Sequence, residues 1–205
     1  MKEKDDNSKK INPAKIRNFI LTAHVDHGKS TLAACLLEKT NVNLETVLNS
    51  ISLEKEKGIT IKLNAVQLYY PPESPEPYIF NLIDTPGHVD FMYEVSRSVA
   101  ACEGVILLVD AVKGIQAQTL AYYEIAKNLN LKILPVINKI DLPHAHLART
   151  KSQIIELLNC QEKDICLISA KTGKNVDLLL EKIVAFIPSP LERKTTLSEK
   201  VKQNK

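Results

Sequence analysis

With 205 residues, 44% of them hydrophobic and 25% charged, the chain has room for one well-buried α/β domain plus tails, and its composition excludes fibrous or wholly disordered classes. No apolar run approaches the ~18–20 residues that span a bilayer, and Met1 to Asp6 mixes both charge signs without an apolar segment, unlike a secretory signal or an uncleaved transit peptide. The net charge of +3 sits in the tails: six lysines and arginines oppose three acids in residues 1–17, and five oppose two in residues 188–205, which leaves a mildly acidic body unlike a stand-alone nucleic-acid binder.

Residues 1–15 are polar and are expected to form a flexible tail. Ile16 to Ala23 is expected as the first strand. Ala23-His24-Val25-Asp26-His27-Gly28-Lys29-Ser30-Thr31 follows it and opens into a helix running to about Lys39. Strand, eight-residue loop, Gly-Lys-Ser and helix form a phosphate-loop arrangement. Backbone N–H groups cradle phosphates, Lys29 neutralises the outer ones, and the Ser30 hydroxyl ligates magnesium. The helix N-terminus adds a favourable dipole for an anion. Ala23 replaces the usual first glycine, a departure of one methyl group. Asp26 is expected to orient the loop or to help hold a monovalent cation. His24, Asp26 and His27 superficially resemble a metal site, but a loop wrapped round phosphate does not readily converge them on one ion.

Thr40 to Thr60 shows no periodicity for about twenty residues, a length that usually marks functional segments. It ends in Glu54-Lys55-Glu56-Lys57-Gly58-Ile59-Thr60, either a solvated helical turn or a switch loop whose Thr60 joins the magnesium shell when a third phosphate is present. Ile61 to Tyr70 and Tyr78 to Asp84 are expected as strands. The rigid Pro71 to Pro77 loop between them implies antiparallel pairing. At the end of the second lie Asp84-Thr85-Pro86-Gly87-His88 and then helical spacing to Ala101. Asp84 is placed to hold magnesium through water, and the Gly87 N–H can reach a terminal phosphate.

Val105 to Val109 is a continuous apolar run, as in a strand covered on both faces, followed by a helix from Ala117 to Asn128. Leu131 to Ile137 makes the next strand, with a local bulge or a missing hydrogen bond expected at Pro135. Asn138-Lys139-Ile140-Asp141 follows, then a helix near His146–Asn159, a strand near Asp164–Ile168, Ser169-Ala170-Lys171 and a helix near Val176–Ile187. Pro188 and Pro190 end the body, leaving residues 189–205 as a linker stub. Cys35, Cys102, Cys160 and Cys166 lack metal-ligand spacing and fit reduced, mostly buried positions in an intracellular protein.

Strands alternating with helices predict a P-loop α/β domain over residues 16–188, with a mostly parallel six-stranded sheet, one antiparallel strand and helices on both faces. All four motifs then share the rim beyond the strand ends. There the Asp141 carboxylate can accept two hydrogen bonds from guanine N1–H and its 2-amino group, whereas adenine offers neither. Lys139 can lay its stem over the base, the Ala170 N–H can meet guanine O6, and Ser169 and Lys171 complete that end. His88 is the candidate for orienting the attacking water. Val25 and Ile59 could form an apolar gate that holds His88 back.

The set Ala23 to Thr31, Gly58-Ile59-Thr60, Asp84 to Phe91, Asn138 to Asp141 and Ser169 to Lys171 resembles the translational GTPases. Leu53 to Lys62, Tyr93 to Ser98, Ala100 to Gly104, Gln116 to Leu120 and Pro135 to Pro143 are similar to the elongation factor 4 (LepA) family in particular. The resemblance covers about Ile16 to Pro190. It implies a GTP-hydrolysing domain that uses magnesium, is activated by the ribosome, and works in bacterial cytoplasm, mitochondrial matrix or plastid stroma. Ser52 stands where that family has Asp, and the loop before Gly58 looks a few residues shorter. The family continues with further ribosome-gripping domains, so the resemblance implies the GTP-binding domain alone, expected to be monomeric in isolation. Peripheral membrane association stays open. Elongation factor G, a ribosome-protection protein, or a binding switch with negligible hydrolysis of its own are the alternatives.

Overall fold

The structure, a computed structural model, describes residues 12–41, 65–84 and 101–193. Ten regular elements lie within them: β1 (Ile16–Ala23), α1 (Lys29–Lys39), β2 (Ala65–Tyr70), β3 (Tyr78–Asp84), β4 (Gly104–Asp110), α2 (Ala117–Asn128), β5 (Lys132–Asn138), α3 (Leu147–Leu158), β6 (Cys166–Leu167) and α4 (Val176–Phe186). The six strands form one sheet in the order β2-β3-β1-β4-β5-β6. Only β2 is antiparallel, paired with β3 from Ala65↔Ile83 to Tyr70↔Tyr78. The expected α/β sheet with one antiparallel strand is therefore the one observed.

Why Phe19 to Leu21 of β1 and Val105 to Val109 of β4 are unbroken apolar runs is visible in what each face meets. Phe19, Leu21, Ile106 and Leu108 share a core with Leu32 and Leu36 of α1 and Leu179 and Ile183 of α4. Their sequence neighbours point the other way. Ile20, Val105 and Leu107 pack with Tyr122 and Ala126 of α2, while Val109 and Ile137 pack with Ile154 of α3. A period of two thus supplies both layers, each fully buried large side chain contributing about 1.5–3 kcal/mol.

One local expectation narrows and another changes. Of the bulge or missing hydrogen bond expected at Pro135, the bulge is absent: β4 and β5 pair one-to-one from Gly104↔Lys132 through Leu107↔Pro135 to Asp110↔Asn138. The proline is tolerated inside the sheet because β6 is only two residues long and starts opposite Val136, so no strand pairs with Pro135 on that side. The strand expected over Asp164–Ile168 shrinks because Glu162–Asp164 curls into a 3-10 turn, with the Asp164 carboxylate accepting the Gln161 N–H at 3.0 Å.

At the chain's edges, residues 12–15 fold as a short turn in which Asn12 caps the Ala14 N–H and Lys15 pairs with Glu76 at 2.8 Å. The segment after Pro188 also stays against the body as far as Arg193. Ser189 is buried and donates its N–H to the Glu192 carboxylate at 2.6 Å, and Arg193 bonds the Cys102 carbonyl beside Glu103. Asn18 donates to the Glu103 carboxylate at 2.8 Å from the other side, while burial pushes the Glu103 acid upward.

Candidate nucleotide site

Parallel registry brings the carboxyl ends of β1, β3, β4 and β5 to one rim: Leu21↔Asp84, Ala23↔Leu108 and Asp110↔Asn138. The first loop on that rim runs from Ala23 to Gly28. It turns through Asp26 at φ 64° and Gly28 at φ 95°, and Gly28 is the N-cap of α1. Having no side chain, Gly28 leaves the first-turn N–H groups of α1 facing outward, where an anion is stabilised. A cavity of about 520 Å³ opens there, lined by residues 23–26 and 28–31 and by Lys139 from the loop after β5.

His27 is missing from that lining. Its ring is fully buried behind the loop, with Nδ1 accepting the Asp110 N–H at 3.2 Å and the His24 ring edge-on at 5.2 Å. Only its backbone can serve a phosphate. Burial pushes the imidazole down to about 4, against the upward pull of the Asp110 carboxylate and the Leu108 carbonyl. Its ordinary value of 6.5 applies once the chain unfolds. Below about pH 6.5 the unfolded chain takes up a proton that the native one refuses, so stability falls as pH drops toward 4 and is unaffected above about 7. The shift corresponds to a loss on the order of 3 kcal/mol by pH 4. Urea denaturation of wild type and His27→Gln at pH 7, 5 and 4 checks this: the variant is less stable at pH 7 but shows a flatter decline.

The base-reading segment is tied to the phosphate loop by two side chains. Asn138, 2% exposed, donates from Nδ2 to the His27 carbonyl at 3.0 Å and accepts the Ala170 N–H on Oδ1 at 2.9 Å. Lys139, at φ 65°, extends its ammonium to the Asp26 carbonyl at 2.5 Å and to the Asp110 carboxylate at 2.7 Å. Asp141 is exposed. The Ser169 hydroxyl, foremost, holds its carboxyl below the usual range, with Lys171 and Lys139 adding to the effect, so it meets a ligand as an anion. Ser169 is itself buried and accepts the Thr172 N–H at 3.2 Å, while Lys171 is exposed.

One expectation changes in detail. The Ala170 N–H, expected to meet guanine O6, is here donated to Asn138, so it must share or exchange that bond to reach a base. The Asp26 carboxylate faces the Lys113 ammonium at 3.7 Å, which already opposes the charge offered to a monovalent cation. Lys29, Ser30 and Thr31 form the first turn of α1 and border the cavity, and Val25 stands 47% exposed at its mouth. Asp84 ends β3 on the same rim. Ile59, Thr60, Gly87 and His88 lie outside the described residues.

Two residues were not anticipated. Asp110 ends β4, 2% exposed, and its Oδ1 accepts the Val112 N–H at 2.7 Å and the Lys113 N–H at 3.2 Å. Burial alone would raise its carboxyl, yet the Lys139 bond and the two N–H donors overcome that and hold it below the ordinary range. Gln118, in the first turn of α2, accepts the Val25 N–H at 2.9 Å. A sequence signal existed for Asp110: like Asn138, it is the first polar residue after a run of five apolar ones that fills a strand.

A strand-to-helix glycine turn at a cation-lined cavity, on the carboxyl rim of a parallel sheet, defines a phosphate-loop nucleotide-binding domain. Comparison with known proteins narrows the class. The family described as the elongation factor Tu GTP binding domain matches residues 14–189, and the chain belongs to it. The chain is 56% identical over 187 residues to elongation factor 4 of Mesoplasma florum, covering 89% of this chain and 31% of that protein. To elongation factor 4 of Anoxybacillus flavithermus it is 56% identical over 181 residues, covering 86% and 30%. It thus spans about a third of the length of these relatives. Among solved structures it resembles the elongation factor SelB from Methanococcus maripaludis in complex with the GTP analogue GPPNHP, with TM-score 0.63, 28% identity, and 82% and 33% of the two chains covered. A bacterial selenocysteine-specific elongation factor gives TM-score 0.64 at 28% identity, covering 83% and 28%.

Proposed function

We propose that this chain is the GTP-binding and GTP-hydrolysing unit of a ribosome-associated translation factor of the elongation factor 4 type. The observation that carries the reading is the direct bonding of the two half-sites. Asn138 and Lys139, which precede the base-reading Asp141, donate to the His27 and Asp26 carbonyls of the loop that precedes Lys29. One ligand can therefore span both, with its phosphates on the first turn of α1 and its guanine against Asp141, Ser169, Ala170 and Lys171. Ala23, Asp26, His27, Gly28, Ser30 and Thr31 complete the phosphate end.

Magnesium fits the donor set assigned to it, which is wholly hard oxygen: the Ser30 and Thr60 hydroxyls, with Asp84 acting through water. Ser30 borders the cavity beside Lys29 and Asp84 ends the neighbouring strand, a placement consistent with that role. When bound, the ion neutralises charge on the outer phosphates. Gly87 then contacts the terminal phosphate, and His88 orients water once the gate of Val25 and Ile59 opens. The ribosome is the activating partner proposed for the full-length protein, and the cytoplasm its proposed compartment. The unit itself is proposed to be monomeric.

Single-turnover GTP hydrolysis with and without ribosomes tests the reading, with slow turnover alone and faster turnover with ribosomes expected. The His88→Ala variant of the full-length protein should bind GTP nearly as wild type while stimulated hydrolysis falls roughly 10²-fold or more. Stimulated turnover that survives the substitution would remove His88 from the mechanism. An absence of hydrolysis under both conditions would favour the binding-switch alternative.

A further inference from the structure

The geometry points to Asp110 as a positioning residue that anchors the Lys139 ammonium and thereby locks the phosphate loop onto the base-reading segment. The inference rests on the guanine-nucleotide reading of the site and concerns a residue that reading does not use.

On this rim Asp26 and Lys139, neither of them glycine, hold left-handed backbones at φ 64° and 65°. Such conformations persist only where surrounding bonds over-determine them. Here one ammonium serves both, since Lys139 Nζ meets the Asp26 carbonyl at 2.5 Å and Asp110 Oδ2 at 2.7 Å. Asp110 in turn cannot move. Its other oxygen is held by the Val112 and Lys113 N–H groups, its own N–H by the buried His27 ring, and its strand by Asn138 in the facing register. The Ala111 N–H donates to the Asn138 carbonyl at 2.9 Å, so the same corner also fixes the residue before Lys139.

A buried, rigid carboxylate beneath a lysine that touches both loops is a lever between the two ends of the ligand site. With Asp110 in place, ordering the loop round phosphate also orders Lys139 over the base, and the reverse. Without its charge the ammonium loses its fixed partner, and the two loops order separately. The ligand then pays that ordering cost twice, chiefly as a faster off-rate.

Asp110→Asn is the direct test, because an amide oxygen can still accept the Val112 and Lys113 N–H groups while the charge is gone. Displacement of a fluorescent GDP is expected to quicken roughly 10–100-fold, at the low end of the effect of removing one partner of a buried charge pair because the Lys139 side chain is 29% exposed. The advantage of GDP over GMP should shrink by about tenfold, a change that lost folding stability alone would not produce. Lys139→Met, which keeps an apolar stem but no ammonium, should reproduce both effects, and the double variant should add no more than about threefold to either. If Asp110→Asn fails to fold, Lys139→Met carries the test by itself. Release within about threefold of wild type, or single effects that multiply in the double variant, overturns the clamp. No GDP binding by the unsubstituted chain overturns the nucleotide reading and the clamp with it, whereas normal binding with unchanged variants overturns the clamp alone.

Discussion

Gly28→Ala is expected to lower guanine-nucleotide affinity by roughly 10²-fold or more and to destabilise the fold by about 3–5 kcal/mol. A Cβ at this position would lie 2.4 Å from Asn138 Nδ2 and 3.8 Å from Lys139 Cε, and the backbone sits at φ +95°. The obstructing amide is buried and bonded at both ends, to the His27 carbonyl and the Ala170 N–H, so it cannot swing aside without orphaning one of them. The left-handed backbone costs alanine a further ~1–2 kcal/mol. A control separates strain from site damage. Gly114 also has a positive φ, +70°, but its Cβ would meet only the end of the Gln153 side chain, at 2.5 Å. Gly114→Ala should cost stability while leaving nucleotide binding close to wild type. Urea denaturation and a GDP titration on both variants check the pair, and a Gly28→Ala protein that binds GDP within about threefold of wild type would break the argument.

Asp141→Asn should reverse the choice of base. The carboxylate offers two acceptors, matching the N1–H and 2-amino donors of guanine. An amide offers one acceptor and one donor, and that donor faces the 2-amino group. Losing a charge-assisted bond and creating a clash of donors should weaken GTP and GDP binding roughly 10²–10³-fold. Xanthine carries a carbonyl in place of the 2-amino group, so xanthosine nucleotides should bind the variant better than guanosine ones. Competition between the two measures the reversal directly. Because Ser169 is the chief group holding the Asp141 carboxyl below its usual range, Ser169→Ala should weaken binding in the same direction but by less.

Much of this architecture was legible in the residues. β1, β3 and α2 match their expected spans because each is bounded by a strong signal: the glycine loop, the proline-rich hairpin and the turn after Ile115. Pro135 was harder, since the rule against proline in a strand assumes partners along both sides, and a two-residue β6 cannot be foreseen from apolar pattern alone. The converging motifs were readable because phosphate and base recognition demand particular residue types at strand ends. What pattern did not reveal was the wiring between them. His27 reads as one more polar loop residue, yet the structure buries its ring. Asp110 reads as the end of a strand, yet it carries the Lys139 pair. Both depend on which strands become neighbours, a property of the folded sheet rather than of any local window.

The central claim is that one pocket recognises guanine and phosphate together. Titrating the purified chain with GTP, GDP and ATP in the presence of magnesium tests it most directly. GTP and GDP are expected to bind at least about 10²-fold more tightly than ATP, as a bidentate charge-assisted base contact implies. Equal affinity for ATP and GTP would contradict it.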